Sequence, residues 1–173
     1  MYMDKSQYPV NDMGISGKRV ALVHDFLLYR GGAERVLRAL ADMFPEAPIY
    51  TLLYDAEGMR GEFLDREVRT SFLGSWPAFL RKRHRWLLPL YGAATEAIDL
   101  RDFDLVISSS GAWTKGIVTR LHTKHVAYIH SPMRFVWDEN ERYLRESGGF
   151  HFWKRLILSH LRLWDFEAAA RPD

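Results

Sequence analysis

His130-Ser131-Pro132-Met133-Arg134-Phe135-Val136-Trp137-Asp138 follows directly on the apolar, β-branched run Val126-Ala127-Tyr128-Ile129. The run reads as a buried strand and the nine residues after it as the start of a helix. Ser131 is a good N-cap, and Pro132 suits the first helical position because its missing N–H is not needed there. Proline also drives Ser131 out of the helical region, which sharpens the corner. An imidazole, a hydroxyl and a helix N-terminus are thereby expected together at the carboxyl edge of a sheet, where ligands bind in open α/β proteins.

Working outward, Lys18–His24 reads as a short apolar strand, Asp25–Gly32 as a loop, and Ala33–Phe44 as a helix with apolar residues at 36, 37, 40, 43 and 44. Ile49–Tyr54 and Val68–Phe72 read as two further strands. Ser75–Ile98 is helical in period and broken by Pro89. Asp104–Ser108 and Lys124–Ile129 complete the strands, and Phe152–Ala170 reads as a long helix. Strands and helices in this alternation predict an α/β fold, a Rossmann-like parallel sheet covered by helices on both faces.

Composition narrows the class. The chain has 173 residues, 47% hydrophobic and 27% charged, as expected of one globular domain. It has no cysteine, which excludes disulfides and thiolate metal sites. The longest apolar run, Trp86–Ala94, contains Pro89 and is too short to span a bilayer. Residues 1–17 are polar and read as a flexible tail without the apolar core of a signal peptide. The expectation is a cytoplasmic protein.

Charge is concentrated in one place. Arg81-Lys82-Arg83-His84-Arg85 holds four cations, so a chain of net charge +2 is net negative outside it. Trp76, Phe79, Leu80, Trp86, Leu87 and Leu88 interleave with the cluster. The combination reads either as an amphipathic element for an anionic membrane surface, through Arg81, Lys82, Arg83, Arg85 and Trp86, or as a solvated helix face over an apolar core. One patch is thin support for nucleic acid, and none is expected as a partner.

Three groups could carry chemistry. Gly31-Gly32-Ala33 opens a helix and could turn backbone amides toward an anion, or simply form a turn that needs positive φ. His130 could titrate against a ligand or sit as a satisfied core histidine. Arg134 could bind phosphate or pair with Asp138. Asp102-Phe103-Asp104 resembles a metal-holding D-x-D motif but is better explained by a turn leading into a strand, so no metal is expected. The G-x-G-x-x-G dinucleotide pattern is absent.

Together, KRVALVHDFLLYRGGAERVLRALADMFPEAPIYTLLYD, DFDLVISSSGAWTKGIVT and HVAYIHSPMRFVWD resemble, in order, the N-terminal domain of a GT-B fold glycosyltransferase of family 4, the retaining "group 1" enzymes of bacterial surface polysaccharide synthesis. The resemblance covers Lys18 to the chain end. It implies a Rossmann-like acceptor-side domain over 18–173, whose companion C-terminal domain binds most of the nucleotide-sugar donor. It implies a donor diphosphate near Gly31, Gly32 and Ala33, and His130 beside the transferred hexose with Ser131 and Arg134 supporting it. It further implies a saccharide or lipid-linked acceptor, as in lipopolysaccharide assembly, no metal, and peripheral contact with the inner face of the membrane.

One feature of the family is missing. Its C-terminal domain carries two glutamates separated by seven residues, and no glutamate pair here has that spacing. The expectation is a chain inactive alone, completed by the missing domain in cis or in trans. The alternative is a non-catalytic subunit that presents acceptor and recruits a split enzyme to the membrane.

Overall fold

The computed structural model describes residues 17–81, 84–138 and 151–173. Five strands form one sheet: β1 (Val20–Leu27), β2 (Ile49–Tyr54), β3 (Val68–Thr70), β4 (Leu105–Ser110) and β5 (Lys124–Ile129). All four pairings are parallel, in the order β3-β2-β1-β4-β5. The order runs outward in both directions from β1, so the topological switch point lies between β1 and β4. The crevice outside the carboxyl ends of such a strand pair is where ligands bind in doubly wound sheets.

Helix α1 (Gly32–Met43) covers one face. Its Leu37 and Ala41 pack with Leu22, Leu27 and Ile49 of the sheet and with Met59 and Phe63 of the following turns. The opposite face holds Ala21, Val23, Leu52 and Val106 against α3 (Tyr91–Glu96) and α4 (His151–Ala169), with Trp113 and Ile117 between them. In the first half of β1, Ala21 and Val23 serve one core and Leu22 the other, as a strand buried on both faces requires. Between β3 and α3 the chain makes short helical pieces: α2 (Ala78–Arg81) and 3-10 turns at Phe72–Ser75 and His84–Leu90, the latter containing Pro89.

The α/β fold with helices on both faces is as read from sequence. Four local expectations change. First, β1 continues through Asp25 and Phe26 to Leu27, because β2 offers Leu53 and Tyr54 as ladder partners beyond the point where β4 stops pairing. The 25–32 loop is therefore only the stretch after Leu27. Second, β4 continues to Ser110, paired with Ile129. Third, β3 ends at Thr70, and Phe72 begins a 3-10 turn capped by the Ser71 hydroxyl. Fourth, β5 is an edge strand rather than a buried one: Val126, Tyr128 and Ile129 are about half exposed. Its apolar run says strand but not where in the sheet order the strand falls.

Helix α4 is tied down by a buried ion pair. Lys115 Nζ lies 2.6 Å from Asp165 Oδ1, and Trp137 Nε1 donates to Asp165 Oδ2 at 2.8 Å. Gly116 lets the helix come this close, since a Cβ there would sit 2.7 Å from the Trp164 ring. At its far end the chain returns to β5, where the Asp173 amide donates to the His125 carbonyl at 2.9 Å. Among the described residues no helix is long and apolar enough to cross a membrane. Residues 1–16 of the expected tail lie outside the described residues, as do Lys82 and Arg83 of the basic cluster.

Candidate functional site at the switch point

At the crevice, β1 delivers two consecutive polar side chains into the interior. Asp25 and His24 are both nearly inaccessible. The Asp25 carboxylate is wrapped by the turn that follows β4. Oδ2 accepts from the amides of Gly111 (2.9 Å) and Ala112 (2.6 Å). Oδ1 accepts from the amides of Trp113 (3.1 Å) and Thr114 (2.7 Å), from the Thr114 hydroxyl (2.7 Å) and from the Ser110 hydroxyl (3.3 Å). A charge this buried persists only where hydrogen bonds replace its water, and the turn supplies them.

His24 starts a chain of contacts that crosses the crevice. Its Nδ1 lies 2.8 Å from the Ser109 carbonyl oxygen and 3.2 Å from the Ser109 hydroxyl. The same hydroxyl lies 2.8 Å from Nε2 of His130. On the other side, His24 Nε2 is 3.7 Å from Glu34 Oε1. Glu34 is itself buried, although it sits in the first turn of α1. Its carboxyl is pushed up by burial, but hydrogen bonds from His24 and from the backbone at Glu34 and Gly31 outweigh this and hold it below the usual value. His130 is pushed down by burial and by the nearby His24, which together outweigh Asp25 and Glu34. A neutral imidazole therefore stands at the crevice at neutral pH.

The structure brings His130 and the start of α1 to one crevice, linked through His24, Ser109 and Glu34. Glycine has a different role here from a turn with positive φ: Gly31 is extended, with φ −145°. Its missing Cβ leaves room for the Glu34 carboxylate, whose Oε2 would lie 2.7 Å from a Cβ at that position. The Glu34 carboxylate thus folds back over Gly31, the direction in which the N3 residue of a capping box reaches toward its N-cap. The amides of Gly32 and Ala33 stand in the first turn, where no intrahelical acceptor exists.

The helix expected to begin at Ser131 does not form there. Residues 134–138 make hydrogen-bonded turns, among them Asp138 N–H to the Arg134 carbonyl at 2.9 Å, and the chain beyond lies outside the described residues. Ser131 caps nothing among the described residues. Met133 and Val136 are instead driven into the core beside Trp113. Arg134 is exposed and makes no ion pair with Asp138. It does not join the His24–His130 chain.

The basic cluster is only partly placed. Arg81 ends α2, and the side chains of residues 82–86, including Arg85 and Trp86, lie outside the described ones. Arg81 lines a cavity of about 300 Å³ at the carboxyl ends of β1 and β2, with Tyr29, Tyr54, Asp55 and Glu57 among its walls. Its Nε is buried with no hydrogen-bond partner among the described residues. Asp104 accepts the Arg19 amide at 2.8 Å, which ties the start of β4 to the start of β1. Among the described residues no three His, Asp or Glu side chains gather as a metal site.

Sequence reasoning missed His24, Asp25 and Glu34 as members of the site. Their only sequence signal is polarity inside or beside apolar strand and helix patterns.

Comparison with known families matches residues 30–170 to a family model described as Glycosyltransferase Family 4. No curated protein and no solved structure matches the chain.

Replacing Asp25 with Ala leaves the donors of residues 110–114 facing a void. Destabilisation of about 3–5 kcal/mol is expected, the range for stripping a buried charge from its partners. Asp25→Asn should lose nearly as much, because its NH2 would face donors. Urea unfolding checks both; a loss under about 1 kcal/mol for either would contradict the structural role of the carboxylate.

Proposed function

The chain belongs to glycosyltransferase family 4, and we propose on that footing that it forms the N-terminal, acceptor-side domain of a retaining hexosyltransferase. The enzyme moves a hexose from a nucleotide sugar to a saccharide or lipid-linked acceptor in surface polysaccharide synthesis. Its donor-binding domain completes the site in cis or in trans, and this chain alone transfers nothing. The observation that carries the reading is the placement of His130. A neutral imidazole stands at the switch point, held at 2.8 Å by a buried serine, across the crevice from the first turn of α1.

In this reading His130 donates a hydrogen bond to a hydroxyl of the transferred sugar and orients its reacting carbon. The donor diphosphate lies over the first turn of α1. The Glu34 carboxylate lies over Gly31, so Gly32 and Ala33 supply the donors, with the positive end of the helix dipole behind them. Arg134 is exposed nearby in sequence and suits a phosphate oxygen. Ser131 lines the same corner. The reading calls on no metal, and the nucleotide sugar enters as co-substrate.

The cavity beside Arg81 suits an acceptor saccharide. Tyr29 and Tyr54 offer apolar ring surface, while Asp55, Glu57 and the Arg81 side chain offer hydrogen bonds to hydroxyls. Arg81, Lys82, Arg83, Arg85 and Trp86 follow directly in sequence. They would hold that cavity at the inner face of an anionic membrane, where a lipid-linked acceptor resides.

Two outcomes test the proposal. In the enzyme joined to its donor-binding domain, His130→Ala should lower turnover by well over tenfold in a nucleotide-sugar consumption assay; wild-type turnover would sink the role. For the membrane, four cations near an anionic surface contribute about 4 kcal/mol. Vesicles containing phosphatidylglycerol should therefore sediment the protein, less so as salt rises, while pure phosphatidylcholine should not. Equal binding to both, or to neither, would remove the membrane role.

A further inference from the structure

Ser109 is fully buried, and its hydroxyl has two imidazole neighbours. The proton positions along this chain follow from which atoms can accept. His24 Nδ1 faces the Ser109 carbonyl oxygen at 2.8 Å, an atom that only accepts, so Nδ1 must carry a hydrogen. That hydrogen also points toward the Ser109 hydroxyl oxygen at 3.2 Å, where it meets a lone pair. The hydroxyl proton then has one nitrogen left to serve, His130 Nε2 at 2.8 Å. The opposite arrangement, His130 Nε2–H donating to Ser109, would leave a fully buried hydroxyl proton without an acceptor, which is costly.

The geometry points to Ser109, with His24 behind it, as the positioning residue that fixes the proton of His130 on Nδ1. Nδ1 makes no hydrogen bond among the described residues and is not one of the buried orphan atoms of the fold. His130 therefore presents an N–H donor to the crevice, not a lone pair, and hydrogen-bonds a ligand oxygen instead of taking a proton from it. Tyr128 holds the ring from the side, edge-on with centroids 4.9 Å apart. At the far end, His24 Nε2 lies 3.7 Å from Glu34 Oε1. The charged and titratable groups around the His130 ring are His24, Asp25 and Glu34; burial, together with His24, outweighs the two carboxylates and favours the neutral form.

The proton placement stands on the contacts alone. Its use in orienting a sugar rests on the glycosyl-transfer reading, and the two can fail separately. Long-range 15N–1H NMR of this chain, with imidazole nitrogens labelled and no sugar present, reads the tautomer directly. His130 should show a protonated Nδ1 and a bare Nε2 at pH 7.5. Ser109→Ala should move both nitrogens toward the average of two exchanging tautomers, and Ser109→Thr should restore the wild-type pattern. A protonated Nε2 in the wild-type protein, or a tautomer untouched by Ser109→Ala, overturns the inference; the wild-type spectrum decides the first point even if the alanine variant does not fold. In the enzyme with its donor-binding domain, Ser109→Ala should lower kcat about tenfold, with KM little changed and threonine restoring it. An unchanged kcat beside a disturbed tautomer overturns the positioning role while leaving the proton assignment intact.

Discussion

One buried carboxylate organises the switch-point edge of this domain. Asp25 collects six hydrogen bonds from residues 110–114, so the turn after β4 has one position relative to β1. The next residue along that turn, Lys115, pairs with Asp165 and donates to the Ala112 carbonyl. Asp165 in turn holds Trp137 in the segment after His130. A short sequence of charge-assisted contacts thus runs from the middle strand to the outer helix and back to the corner beyond β5. Lys115, Asp165 and Asp25 are themselves buried, so loss of Lys115 would leave the Asp165 carboxylate without its opposite charge and without bulk water.

The same constraint positions the polar line across the crevice. Ser109 immediately precedes the turn that Asp25 fixes, and its side chain stands between His24 and His130. Two imidazoles and two carboxylates lie within a few contacts of one another at the switch point of a parallel sheet. Such a cluster costs folding energy, and a domain built for stability alone would fill the space with apolar side chains. Under the proposed glycosyl-transfer role the cluster has a purpose, since that chemistry needs donors held still at a dry, shaped edge.

Much of the fold was legible because hydrophobic periodicity reports local structure well. The strands at 49–54 and 124–129 and the helices at 32–43 and 151–169 fall within a residue or so of their sequence reading. Strand ends were not legible: Asp25 and Phe26 join β1 only because β2 extends alongside them. Burial was misread at β5, where composition is the same for a central and an edge strand. The corner after His130 was misread because Ser131 and Pro132 favour a helix start locally, while Met133 and Val136 gain more by entering the core.

At the site itself, His130 and the glycine pair were visible as a histidine at a strand end and a helix opening. His24 and Glu34 were not, since the contact of His24 with Ser109 spans 85 residues between β1 and β4 and exists only once the sheet order is set. The reason for Gly31 was hidden for the same cause. It is small to admit the Glu34 carboxylate, not to reach positive φ.

The central claim is that the switch-point crevice holds the sugar and diphosphate of the donor. A crystal structure of the enzyme, donor-binding domain included, with an unreactive nucleotide-sugar analogue tests it most directly. The expected result is a sugar hydroxyl within hydrogen-bond distance of His130 Nδ1 and diphosphate oxygens on the Gly32 and Ala33 amides. An analogue bound with its sugar away from His130, or its diphosphate away from the first turn of α1, would contradict the claim.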